Sequence, residues 1–137
     1  MPDSKTADIA FDSVESALAA IRAGEAIVVV DDEDRENEGD LVCAAQFATP
    51  AMVNFMARQA RGLICLAMTG DRLDYLKLPP MVHHNTDTHQ TAFTVSIDAV
   101  PKAGTFKASS AEGRSRTIQT AIATSTTPRD LKRPGQI

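Results

Sequence analysis

The feature that most narrows what this chain can fold into is Asp31-Asp32-Glu33-Asp34-Arg35-Glu36-Asn37-Glu38-Gly39-Asp40, with seven acids in ten residues, set directly between two apolar runs. The run before it, Ala26-Ile27-Val28-Val29-Val30, is short, continuous and β-branched, the pattern of a buried strand. The run after it, Leu41-Val42-Cys43-Ala44-Ala45, reads as a second strand. Two like charges 4 Å apart cost about 4 kcal/mol at an effective dielectric near 20, so carboxylates this crowded call for neutralisation. A divalent cation is the simplest solution, and all-oxygen ligands suit Mg²⁺, Mn²⁺ or Ca²⁺ rather than Zn²⁺. The spacing is not that of an EF-hand, because Gly39 falls in the wrong place and no Glu follows at the required distance. The alternative is a plain solvated loop between strands. Arg35 argues against that, since one fixed cation among acids can pair with a carboxylate or grip a phosphate or hydroxyl.

Around this unit, helical and extended patterns interleave. Asp12-Ser13-Val14-Glu15 predicts an acidic N-cap at Asp12, followed by Val14, Ala17, Leu18 and Ile21 at helical spacing and Gly24 at C′. Thr49-Pro50 predicts an N-cap and a first-turn proline, with Met52, Val53, Met56 and Ala57 on one face. Gly62-Leu63-Ile64-Cys65-Leu66-Ala67-Met68 reads as a third buried strand, and a short helix follows Gly70-Asp71 through Leu73 to Leu76. Leu78-Pro79-Pro80 forces extended backbone. A polar loop then runs from His83 to Gln90, and Ala92 to Asp98 alternates as a half-exposed strand. Ser109 with Glu112 predicts a capped helix through Ala123, in which Gly113 costs about 1 kcal/mol relative to Ala. The whole predicts an α/β domain with a layered mixed sheet and flanking helices. Residues 1–137 read as one domain, incomplete at its end, because Ile137 looks like the first residue of a strand after the Pro134-Gly135 turn signal.

Composition removes several classes of function. A chain of 137 residues with 43% hydrophobic and 23% charged residues is an ordinary globular domain. Its net charge of −4 gives no general pull toward nucleic acid or anionic membranes, and with 4% aromatics stacking platforms are not expected. The N-terminus lacks a secretory pattern and no apolar run spans a bilayer, so a cytoplasmic protein is expected. Cys43 and Cys65, each in an apolar stretch, read as buried free thiols. His83, His84 and His89 lie within seven residues, but without helical i,i+4 spacing or a nearby Cys they read as a polar loop rather than a metal site.

Four stretches, in order, resemble the 3,4-dihydroxy-2-butanone 4-phosphate synthases. They are the acidic segment Asp31–Leu41, then Gly62-Leu63-Ile64-Cys65-Leu66, then Thr91-Ala92-Phe93-Thr94-Val95 with the preceding Asn85-Thr86, and finally Arg133-Pro134-Gly135. The resemblance implies a mixed α/β fold and a homodimer with active sites at the subunit interface. It implies ribulose 5-phosphate as substrate, formate as second product, and Mg²⁺ (or Mn²⁺) as cofactor. By matching position, Glu36 is the metal ligand, and Arg35, Glu36, Asp40 and Thr91 contact substrate. Asp31 and Glu38 are the proton-transfer candidates, with Cys65 also in the catalytic site.

The sequence also departs from the family pattern. Gln136 stands where the family has a catalytic His, and an amide has no acid–base role near neutral pH. Gly113 replaces an Asp before the matched Arg114, Gln59 replaces a common His, and Gly104–Ser110 differs from a Thr-Thr-Gly-Val-Ser pattern. The family's later Gly-His-Thr-Glu stretch, with its second metal ligand, has no counterpart here. Two readings follow: part of a working lyase, or a catalytically impaired paralogue or fragment that binds cation and sugar phosphate without turnover.

Overall fold

A computed structural model describes residues 10–101 and 106–137. The first helix, α1 (Val14–Arg22), starts at Ser13 rather than Asp12: the Ser13 hydroxyl accepts the Ser16 N–H at 3.1 Å. Gly24 takes φ +85°, which ends the helix as its position suggested. Strands β1 (Ile27–Val30) and β2 (Gly39–Val42) pair antiparallel, Val28 facing Leu41 and Val29 facing Asp40. The second strand therefore begins two residues earlier than its apolar run and ends at Val42. Ala45–Phe47 forms a 3₁₀ turn leading to α2 (Pro50–Gln59), capped by Thr49 as expected.

The run Ile27–Val30 is not buried. Val28 is 66% exposed and Val29 and Val30 are also exposed, because among the described residues β1 has a ladder partner on one edge only and touches just α1 besides. The segment 62–68 is extended but joins no ladder there. Its side chains alternate: Ile64, Leu66 and Met68 pack inward, while Leu63 and Cys65 face out. Cys65 is thus exposed, contrary to the buried thiol expected. Helix α3 (Gly70–Tyr75) follows with Thr69 as its cap.

The stretch 92–98 pairs less than its alternation suggested. Thr94 bridges Pro80, and only Asp98–Ala99 forms a ladder strand, β3, antiparallel to β4 (Leu131–Lys132). Among the described residues the sheet layer is therefore two small antiparallel ladders, with α4 packed on the second, an α/β arrangement. Helix α4 (Ala111–Ile122) is capped by Ser110, one residue after Ser109, and packs against α2 and β3. A Cβ on Gly113 would overlap the Lys107 carbonyl oxygen, so this glycine's propensity cost is offset by a close backbone approach.

Two apolar clusters share α4. Leu76, Leu78, Ile97, Ala121 and Leu131 form one; Ala48, Val53 and Ile118 form the other; Leu66 and Ile137 pack against both. Ile137 exchanges both main-chain hydrogen bonds with Ile97, at 2.8 and 3.2 Å, an antiparallel pairing. Polar side chains of α4 tie it into the core. The Ser115 hydroxyl donates to the Ala48 carbonyl at 2.6 Å, and Gln119 Nε2 donates to the Ala45 carbonyl at 2.8 Å. Arg72 covers the open C-terminal end of α4, donating to the Ala121 and Ala123 carbonyls at 2.9 and 2.7 Å. No helix among the described residues is long and apolar enough to cross a membrane.

Thr117, fully buried, accepts the Ala99 N–H at 3.0 Å and donates to the Gly113 carbonyl. Thr117→Val keeps the shape and strips the acceptor, leaving a buried N–H unpaired. The expected loss is about 2 kcal/mol, read as a lower urea midpoint at unchanged slope.

Candidate functional site

The acidic segment is the loop of the β1–β2 hairpin, and one carboxylate organises it. Asp31, at the end of β1, accepts the Glu36 N–H at 2.9 Å and the Glu38 N–H at 2.8 Å, using both oxygens. Arg35 Nε pairs with the same carboxylate at 3.0 Å, and Arg35 Nη2 pairs with Glu36 at 2.9 Å. Asp32 accepts the Asp34 N–H at 2.9 Å, an Asx-type turn, and Asn37 takes φ +52° to bring the chain back to β2. The two amide hydrogen bonds hold the Asp31 carboxyl below its usual range, with Arg35 adding to the effect.

Charge crowding was expected to require a cation. Solvent exposure, the Asp31 hydrogen bonds and Arg35 each relieve part of it. Among the described residues no group of three or more His, Cys, Asp or Glu side chains converges to cage a metal. The donor set suits a cation held differently: one accessible carboxylate, Glu36, with the other positions taken by water and substrate oxygens, as hard Mg²⁺ prefers. No protein group among the described residues hydrogen-bonds the carboxylate of Glu38.

Asp40 projects from β2 on the same face as Val29, its cross-strand partner. It is an electrostatic neighbour of Cys65, joining the hairpin to the extended segment 62–68. Although its side chain reaches solvent, partial desolvation by its neighbours chiefly, and then the Asp40 charge, push the Cys65 thiol up. Cys43 is raised by burial alone.

Thr91 is held elsewhere. Its N–H donates to Asp87 Oδ2 at 3.0 Å, and its carbonyl accepts from Asn85 Nδ2 at 3.0 Å. The hairpin thus brings together Asp31, Arg35, Glu36 and Glu38, with Asp40 within electrostatic range of Cys65; Thr91 belongs to a second ordered loop. Asp87 was missed as a candidate. Its signal was present in Asn85-Thr86-Asp87, where two side chains of the Asx type sit within the polar loop.

Clefts of about 350 and 280 Å³ lie against α4, the larger with Val100, Arg116 and Gln119, the smaller with Met68 and Arg72. Neither includes a residue of the acidic loop. Residues 32–40 of the loop are exposed, and Asp31 is half-buried.

A family model described as 3,4-dihydroxy-2-butanone 4-phosphate synthase matches residues 15–137. The chain belongs to that family. It is 70% identical over 127 residues to the riboflavin biosynthesis protein RibBA of Synechocystis, covering 93% of this chain and 23% of that protein. It is 48% identical to the 3,4-dihydroxy-2-butanone 4-phosphate synthase of Agrobacterium fabrum, covering 90% of this chain and 57% of that one. Among solved structures, a 3,4-dihydroxy-2-butanone 4-phosphate synthase in complex with two magnesium ions superposes with a TM-score of 0.87 at 40% identity, over 92% of this chain and 58% of that one. The two-domain synthase RibBX from A. baumannii gives a TM-score of 0.82 at 43% identity, over 92% of this chain and 36% of that one. The chain thus spans between about a quarter and three-fifths of the length of these synthase-family relatives.

The role of Asp31 in shaping the loop has a pH signature. A carboxyl depressed in the folded state contributes order that is full above about pH 4 and is lost as pH falls through its own lower pKa. In NMR spectra the Glu36 and Glu38 amide resonances are expected to hold steady down to that range and then move together. Asp31→Ala is expected to give the disordered shifts already at neutral pH.

Proposed function

We propose that this chain carries the metal and sugar-phosphate loop of a 3,4-dihydroxy-2-butanone 4-phosphate synthase, converting ribulose 5-phosphate to 3,4-dihydroxy-2-butanone 4-phosphate and formate. The observation that supports it is the ordered hairpin loop, which presents Arg35, Glu36, Glu38 and Asp40 from one rigid turn. Family membership supports the reading of a synthase, and the magnesium in a solved relative supports the choice of cation.

In this reading Glu36 holds Mg²⁺, and Mn²⁺ substitutes for it. When bound, such a cation would supply electrostatic stabilisation of negative charge on the substrate. Arg35 is half committed to Asp31 and Glu36, and its remaining N–H donors face solvent, where they meet substrate oxygens. Glu38, unbonded through its carboxylate, is the proton carrier of the loop. Asp31 has both oxygens occupied and is held ionised, so its part is to fix the positions of Glu36 and Glu38. Asp40 holds a substrate hydroxyl, with the Cys65 thiol within electrostatic range. Thr91 contacts the substrate from the second loop.

An exposed loop does not exclude water, and this chemistry needs a closed site. Closure comes from a second copy in a homodimer, from the further length that the relatives carry, or from both. Residues 1–137 are then part of one synthase domain. The free thiols suit a reducing cytoplasm. Formate release from ribulose 5-phosphate, dependent on added Mg²⁺, tests the reading; no formate at saturating substrate and metal defeats it.

The exposed loop and Gln136 favour a second reading, sugar-phosphate and cation binding without turnover. It predicts saturable binding of ribulose 5-phosphate in calorimetry and no formate.

A further inference from the structure

The loop that carries Thr91 has no regular secondary structure and little burial, yet its backbone is held closely. Its base is closed by the bridge between Pro80 and Thr94 and by the Met81 N–H donating to the Phe93 carbonyl at 2.8 Å. Within it, the Asp87 N–H donates to Asn85 Oδ1 at 2.9 Å. The Asp87 carbonyl accepts from the Gln90 N–H and from Gln90 Nε2, at 3.2 and 2.7 Å, while Gln90 takes φ +56°. The Asp87 carboxylate then accepts the Thr91 N–H, and Asn85 Nδ2 donates to the Thr91 carbonyl, each at 3.0 Å. Both polar main-chain groups of Thr91 are thus fixed by side chains of this loop, which sets the direction of its Cα–Cβ bond. The Thr91 hydroxyl also faces the Asp87 carboxylate.

We propose that Asp87 is a positioning residue for substrate binding: it does not touch the sugar phosphate, but through its hydrogen bond to the Thr91 N–H it presets Thr91 for that contact. The inference rests on the function proposed above, in which Thr91 meets substrate. A side chain acting only through Thr91 should matter for binding more than for chemistry, and only while Thr91 is present.

The test is a cycle of Asp87→Ala, Thr91→Ala and the double variant, with Asp87→Asn as the conservative control, in Mg²⁺-dependent formate release. Asp87→Ala is expected to raise KM for ribulose 5-phosphate about tenfold with kcat changed by less than about twofold. Asp87→Asn keeps an acceptor oxygen in place and is expected to restore KM to within about threefold. In the Thr91→Ala background, Asp87→Ala is expected to add nothing. Additive losses, or a fall in kcat at unchanged KM, overturn the proposal. Exchange of the Thr91 amide proton, read by NMR, checks the geometry apart from turnover. It is expected to speed up in Asp87→Ala and to stay slow in Asp87→Asn, and unchanged exchange in Asp87→Ala overturns the proposal. If the parent protein releases no formate, the proposed reaction is wrong, and the cycle is read on the dissociation constant for ribulose 5-phosphate. There the same non-additive pattern upholds the positioning role, and additivity or no binding by the parent overturns it.

Discussion

Glu36→Gln is expected to lower formate release by about 10²–10³-fold while leaving the fold unchanged. The two halves of that expectation have separate causes. The loop is shaped by the Glu36 N–H, which donates to Asp31, and that bond is indifferent to the side chain beyond Cβ. What the substitution removes is the charge of the carboxylate, the hard anionic oxygen that suits a divalent cation. The Arg35 pair lost with it is exposed and contributes roughly 0–1 kcal/mol. Steady-state formate release, compared with the urea midpoint of the same variant, separates the two. A variant that unfolds early would mean that the carboxylate is structural, and unchanged turnover would remove Glu36 from the site.

The second large effect lies far from the loop. Gly135→Ala is expected to destabilise the fold by on the order of 3 kcal/mol. A Cβ at that position would overlap the main chain of Ile97 and Asp98, and backbone cannot swing aside as a flexible side chain can. The Gly135 N–H donates to Ser96 Oγ at 3.1 Å, and the Gln136 N–H is within reach of both the Ile97 carbonyl and Asp98 Oδ1, at 3.1 and 2.9 Å. Displacing this segment also lifts Ile137 from both apolar clusters. A drop in the urea midpoint without a change in slope is the expected result. A midpoint equal to that of the parent would mean that residues 133–137 do not dock as described.

The parts of the fold that local chemistry decides were legible in the sequence. Thr49 and Pro50 announce α2, Gly24 closes α1, and the strand–loop–strand pattern around Asp31–Asp40 gives the hairpin. The parts that depend on a distant partner were not. The valines of β1 have the composition of a buried strand, but burial requires a layer to cover them, and composition cannot supply one. Residues 62–68 read as a strand, yet a ladder needs a neighbouring edge, and only their in–out alternation survives. The glycine at 113 looked like a flaw in a helix because the approach of Lys107 is a tertiary fact.

The candidate site divides in the same way. Its residue types were readable from seven acids around one Arg, but their division of labour was not. Asp31 and Glu38 looked equivalent as carboxylates, whereas one is engaged by two backbone amides and the other by none through its side chain. Asp87 was not legible as a candidate because its hydrogen bond reaches an amide four residues later, a partner that residue type alone does not specify. Gln136 was conspicuous for its missing acid–base function, while its main chain turns out to hold the 133–137 segment to β3.

The central claim, that the hairpin loop clasps a divalent cation together with a sugar phosphate, is tested most directly with Mn²⁺ as a paramagnetic probe. Amide resonances of the protein are followed by NMR as Mn²⁺ is added in the presence of ribulose 5-phosphate. Signals around Glu36 are expected to broaden first, at substoichiometric metal, and Glu36→Gln to abolish the effect. Broadening spread evenly over surface acids, or centred on a different region with the 31–40 signals intact, would contradict it.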